Sequence, residues 1–244
     1  MKNHSKHGKS FVIICCLAIL FFVISAVLFF RGGYPQKILA RFSPSEQIEF
    51  HATFNDKALD AWNNCLNQLH EKADIVFFGD SITRRGSFDS ILPDKKICNL
   101  GLGSDTLVGM AERVNMIESV SPDKVFIMGG INSLRDNTLE QSVSEYEDLL
   151  KQISDKNFQQ VFVISVLPIS KEKSDSLGIA PKTVMSFNSS VETLSEEYGF
   201  IYIDLYSSYV SSSGFIKQEL TTDGVHLTDD AYQIWYETIT PFIR

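Results

Sequence analysis

The chain has 244 residues, 44% of them hydrophobic and 21% charged. That is enough for one medium-sized domain with a sizeable core, and too apolar for a chain disordered throughout. Its 30 acidic residues outnumber 22 basic ones, giving a net charge of −8, which excludes binding to nucleic acid or anionic lipid through overall charge. Four cysteines without a Cys-x-x-Cys spacing, and no His-x-x-x-His pair, exclude the usual structural zinc patterns.

Residues 1–10 form a short tail carrying Lys2, Lys6 and Lys9. Residues 11–30, FVIICCLAILFFVISAVLFF, are an uncharged run of 20. At about 1.5 Å per residue a helix of that length matches a hydrocarbon core of about 30 Å, so the run predicts one N-terminal transmembrane helix. A cleaved signal peptide is the competing reading, but its apolar region is about 7–15 residues and ends in small side chains. Here the run ends Leu28-Phe29-Phe30-Arg31. Cys15 and Cys16 read as apolar helix residues or as acylation sites. Arg31, Lys37 and Arg41 match the three lysines of the tail, so charge counting does not orient the span. A short tail ahead of a large domain is expected to remain cytoplasmic, with the domain outside the membrane. Every acidic residue lies beyond position 30, so that domain and its stalk hold 19 basic against 30 acidic residues.

Residues 31–57, with Gly32, Gly33, Pro35 and Pro44 and little periodicity, read as a juxtamembrane stalk ahead of a domain over 58–244. A helix is expected near Leu59 to Glu71. Five apolar runs then alternate with helical patterns: Ile75 to Phe78, Ile97 to Leu100, Val125 to Met128, Val161 to Leu167, and Phe200 to Ile203. Continuous apolar runs imply strands buried on both faces, hence a parallel sheet covered by helices. Leu107, Met110, Val114 and Ile117 recur at helical spacing, as do Leu139, Val143, Tyr146, Leu150 and Ile153. Thr138 with Gln141 forms a capping-box pattern. Tyr232, Trp235, Ile239 and Phe242 mark a last helix, with Thr228 as its N-cap. The expected fold is an α/β three-layer αβα sandwich, in which ligands bind outside the carboxyl ends of the strands. Cys65 and Cys98 are the two cysteines beyond the membrane run. They are either a disulfide or two buried thiols, and their spacing does not choose.

Four segments fall at those strand ends or just before the last helix: Gly79-Asp80-Ser81-Ile82-Thr83, Asn99 to Thr106, Gly130-Ile131-Asn132, and Asp223-Gly224-Val225-His226. A serine hydroxyl is a poor nucleophile until a base takes its proton. Of the five histidines, two lie in the tail, leaving His51, His70 and His226. His226 alone has a carboxylate at short loop spacing within such a segment, and Asp223 is placed to hold its imidazole. Taken singly, each segment is ordinary: Gly-Asp-Ser as a turn, Asp-x-x-His as a cap, Asn132 as a turn residue. Together they supply a nucleophile, a base, a group that orients the base, and an amide donor for a developing oxyanion.

The set resembles the SGNH hydrolases, or GDSL-like lipase/acylhydrolase family, from about Ala73 to the C-terminus. The resemblance implies five strands in the order 2-1-3-4-5, the flavodoxin-like order. It also implies Ser81 as nucleophile, Asp223 and His226 as the Asp-x-x-His pair, and oxyanion donors at Ser81, Ser104 and Asn132. Two positions depart from the family pattern. Aligning on Asn99 and Asp105-Thr106 puts Ser104 where the family has its oxyanion glycine, which serine can replace unless a positive φ is required. Ser133 stands where Asp is common.

The leading expectation is a membrane-anchored serine esterase that removes short O-acyl groups, acetyl above all, from a carbohydrate or cell-envelope substrate without cofactor or metal. An O-acyltransferase using the same site and a non-catalytic anchored binding module are the alternatives. A two-metal phosphatase built on Asp80, Asn132 and His226 has too few histidines. The segment Leu167 to Gly178 either borders the pocket or is a solvated loop.

Overall fold

The computed structural model describes residues 72–243. The expected transmembrane run, the stalk, the helix near Leu59 to Glu71, and His51, His70 and Cys65 lie outside the described residues. Among the described residues no helix is long and apolar enough to cross a membrane. Cys98 is buried in the second strand.

Five strands form one parallel sheet: β1 (Ile75–Gly79), β2 (Ile97–Gly101), β3 (Lys124–Met128), β4 (Gln160–Ile164) and β5 (Ile201–Ile203). Their order is β2-β1-β3-β4-β5, as the family resemblance implies. The strands alternate faces residue by residue. Val76, Phe78, Val125, Ile127, Val161 and Val163 enter one buried cluster, while Ile75, Phe77, Phe126, Phe162 and Ile164 enter another.

The first cluster is covered by α3 (Leu107–Glu112), α4 (Asn115–Ser119), α6 (Leu139–Ser154) and α8 (Pro181–Glu197). The second is covered by the short helices α1 (Ser81–Arg85), α2 (Phe88–Ile91) and α9 (Tyr206–Tyr209), and by α10 (Asp229–Ile243). Three layers follow directly. On the second face the register sets Phe77 beside Phe126 and Phe126 beside Phe162. Their rings stack at centroid distances of 5.2 and 4.6 Å, and Phe88 stacks on Phe77 at 3.6 Å. Each such pair adds about 0.5–1.5 kcal/mol beyond the area it buries.

The caps match their local sequence. Thr138 and Gln141 exchange both hydrogen bonds of a capping box at the start of α6. Thr228 accepts from the Ala231 N–H at the start of α10.

Two expectations need correction. The stripe Leu107 to Ile117 is two helices, interrupted at Arg113, whose side chain turns inward. The fourth strand ends at Ile164 rather than Leu167. Beyond it, the amide of Asn188 takes the place of a neighbouring strand, accepting from Val166 N–H and donating to Val166 C=O, both at 2.8 Å. The apolar run stays buried there without being sheet. The segment Leu167 to Gly178, for which the sequence left two readings open, contains α7 (Lys171–Leu177), capped by the Ser170 hydroxyl and ended by Gly178 in the left-handed region.

Candidate active site

Ser81 is the first residue of α1, which begins directly after β1. Asp80 is the N-cap, its carboxylate accepting from Ile82 N–H at 2.9 Å. The chain reverses tightly because Gly79 and Gly101 carry no side chain. A Cβ on Gly79 would sit 2.1 Å from Met128 C=O, and one on Gly101 would sit 2.2 Å from Arg84 N. Asn99 secures the far end of α1, its amide donating to Thr83 C=O at 3.0 Å and Gly86 C=O at 3.2 Å. Tyr232 of α10 adds a hydrogen bond from its hydroxyl to Ile82 C=O at 2.6 Å.

His226 lies 2.9 Å from Ser81 Oγ through Nε2 and 2.6 Å from Asp223 Oδ2 through Nδ1. The second oxygen of Asp223 accepts the N–H groups of Val225 and His226, at 3.0 and 2.8 Å. Asp223 thus makes the turn and holds the ring at once. Partial desolvation pushes its carboxyl up, but the hydrogen bonds from the His226 main chain and ring and from Val225 hold it well below the ordinary carboxylate range. An ionised Asp223 fixes the proton of His226 on Nδ1, which leaves Nε2 an acceptor facing the serine hydroxyl.

Three residues lining the same cleft carry an N–H group that no described acceptor takes up. Ser81 N–H, at the first helical position, has no intrahelical partner. Ser104 adopts φ 61°, the conformation that a glycine would take without strain, and its N–H meets no acceptor among the described residues. Asn132 donates one amide hydrogen to Asp105 C=O at 2.8 Å, which fixes the amide orientation and leaves its second hydrogen for the cleft. Ser133, the other departure from the family pattern, is buried and accepts from Leu107 N–H at 3.0 Å, tying β3's exit to the start of α3.

Beneath these groups lies a buried ionic knot that the sequence did not announce. Arg113 pairs with Asp105 at 2.7 Å and donates to Leu100 C=O at 2.7 Å and Gly79 C=O at 2.9 Å. Its guanidinium also sits 4.1 Å from the centroid of the Phe78 ring. It therefore links the carboxyl ends of β1 and β2 to the Ser104–Asp105 loop. Asp80 is close by. Burial, with Asp105 adding to it, pushes its carboxyl up to about 7 against the pull of its Ile82 hydrogen bond and of Arg113.

The cleft has a volume of about 430 Å³. Ser81, Ser104, Asn132, Asp223 and His226 all line it, so the structure brings together every residue singled out from the sequence. Lys173 and Leu177 line it too, so the Leu167 to Gly178 segment borders the pocket through α7. Among the described residues no three His, Cys, Asp or Glu side chains are grouped to hold a metal ion.

Residues 77–234 match the sequence model of the GDSL-like Lipase/Acylhydrolase family. The fold is similar to that of a GDSL-like lipase from Bacteroides thetaiotaomicron, with a TM-score of 0.63 and 21% identity over 75% of this chain and 96% of that one. It is similar to a lipase/acylhydrolase from Enterococcus faecalis, at 0.58 and 22% over 69% and 94%. An acetyl xylan esterase from Geobacillus stearothermophilus follows at 0.56 and 20%, over 71% and 95%. No curated protein matches the sequence.

Proposed function

The chain belongs to the GDSL-like lipase/acylhydrolase family of ester hydrolases, and from that premise we propose that it is a serine esterase removing short O-acyl groups, acetyl above all, from a carbohydrate or cell-envelope substrate. The observation that carries this reading is the continuous hydrogen-bonded path from Ser81 Oγ through His226 to Asp223, open to the cleft. The solved acetyl xylan esterase of the same fold and the modest cleft favour a short acyl group.

In the proposed mechanism Ser81 Oγ attacks the ester carbonyl carbon while His226 Nε2 takes the hydroxyl proton. The carbonyl oxygen gains negative charge and is met by Ser81 N–H, Ser104 N–H and the second amide hydrogen of Asn132. Collapse breaks the bond to the alcohol oxygen, which leaves with the proton from His226. Water then attacks the acyl-serine, His226 again removing a proton, and the acid departs as Ser81 regains its hydrogen. Asp223 stays ionised throughout and stabilises the imidazolium in each half.

Anchoring through residues 11–30, with the catalytic domain outside the membrane, belongs to the same proposal and rests on the apolar run alone. An uncharged fluorophosphonate is expected to add to Ser81, located by peptide mass. A folded protein that resists labelling would favour an anchored binding module. Acetate transferred to an added polyol rather than released would identify an acyltransferase.

Asn132→Ala is expected to lower kcat by roughly 10²–10³ with a smaller effect on KM, because the donor acts mainly in the transition state. Unchanged kcat would reduce Asn132 to a structural residue. At Ser104 the main chain matters, so Gly and Ala substitutions should keep activity within a few-fold. Ser104→Pro removes the N–H and demands φ near −65° where the chain has 61°, so it should lose at least about 10². Equal damage from alanine and proline would refute the backbone role.

A further inference from the structure

The cleft is basic in a protein that is acidic. Four cations line it, Arg84, Arg85, Arg135 and Lys173, against one carboxylate, Asp223, which is already engaged by His226. The chain as a whole carries −8.

Their placement follows from helical spacing. Arg84 and Arg85 come three and four residues after Ser81 on α1, and Arg135 three after Asn132 on α5 (Ile131–Asp136), so each lies one turn from a group in the cleft. Lys173 reaches the cleft from α7, and its stem packs on the Asp223 turn: a Cβ on Gly224 would come 2.8 Å from Lys173 Cγ.

A plainer account is that cations at the last turn of a helix complement its dipole. It covers Arg84, Arg85 and Arg135 but not Lys173, which sits in the first turn of its helix, where a cation is disfavoured. Arg135 is held by its neighbour Asp136 through Nε and Nη2. Arg84, Arg85 and Lys173 form no ion pair with any described residue, although carboxylates outnumber cations in the chain. Three such cations around one concave site focus a positive potential on it, and arginine pairs suit the oxygens of phosphate or carboxylate.

Resting on the ester-hydrolase reading, we propose that the substrate carries an anionic group, phosphate or carboxylate, on the alcohol side of the ester, held by Arg84, Arg85 and Lys173. A short acyl group has no atoms to spare for that charge, so the alcohol bears it.

The test compares acetate release by the full-length protein from three acetylated monosaccharides: one neutral, one bearing a phosphate and one bearing a carboxylate. At about 0.01 M salt, kcat/KM for at least one anionic ester should exceed that for the neutral one by roughly fivefold to tenfold, the scale of two partly screened ion pairs. The two anionic arms separate a phosphorylated from a uronic substrate. The advantage should shrink as salt rises to about 0.5 M, and Arg85→Gln or Lys173→Gln should lower the anionic-to-neutral ratio. Equal kcat/KM for all three esters, insensitive to salt, overturns the proposal and leaves the esterase reading standing. The salt titration of the parent protein decides the matter even if a variant fails to fold. No acetate from any ester, with no fluorophosphonate labelling of Ser81, brings down the esterase reading and this proposal with it.

Discussion

Ser81→Ala is expected to lower kcat by about 10⁴–10⁶ while the protein keeps its fold, the scale at which loss of a nucleophile leaves only binding and the oxyanion donors. The Ser81 hydroxyl makes its hydrogen bond to His226 and to no other described residue, and alanine is a good helix former at the first position of α1. The melting temperature should therefore change little. Kinetics on an activated aryl ester, beside a thermal melt, separate the two effects. Turnover above about 1% of the parent by a folded Ser81→Ala protein is incompatible with that loss and would remove Ser81 as the nucleophile.

Arg113→Met should have the largest effect on stability, a loss of about 3–5 kcal/mol. Methionine keeps much of the arginine volume but leaves the Asp105 carboxylate, 2% exposed, without its counter-ion. It also removes the donors to Gly79 C=O and Leu100 C=O at the ends of two adjacent strands. For a domain of this size the melting temperature should fall by roughly 6–20 °C. Pairing Arg113→Met with Asp105→Leu should recover part of the loss, because the stranded charge goes with its partner. A loss below about 1 kcal/mol for the single change would mean that the knot contributes little. Arg113→Lys is not a rescue, since one ammonium cannot span the three acceptors that the planar guanidinium reaches.

The fold was legible where burial is continuous. The apolar runs at 75–78, 97–100 and 125–128 locate β1, β2 and β3 nearly to the residue, most cleanly for the inner strand β1, whose burial on both faces leaves no room for polar alternation. The fourth run misleads at its end for a definite reason. Val166 and Leu167 are as buried as strand residues, yet the partner of the Val166 main chain is a side chain 22 positions away, and nothing local signals that. The helix Pro181–Glu197 was missed although its signs are present: proline at the first position, then Val184, Phe187, Val191 and Leu194 at helical spacing.

The site follows the same division. Ser81, Asn132, Asp223 and His226 are recognisable because the proposed chemistry demands those side chains at those places. Arg113 is not, since in sequence it reads as a surface arginine between two turns of a helix. The basic rim was open to discovery, because Arg84, Arg85 and Arg135 stand three or four residues from groups already singled out. Lys173 enters the sequence reading only within a segment that either borders the pocket or is a solvated loop, and the packing of α7 on the Asp223 turn decides between the two.

Ser81 and His226 are separated by 145 positions, and the turn that carries His226 stands just ahead of the helix whose Tyr232 and Tyr236 hydrogen-bond to Ile82 C=O and Ser87 N–H. On the proposed mechanism, a polypeptide still emerging from the ribosome holds its nucleophile long before it holds its base. A product stopped short of His226 would, on that mechanism, lack its base however much of its sheet has formed. On that mechanism hydrolytic competence arrives only when the turn carrying Asp223 and His226, with the helix behind it, docks against α1.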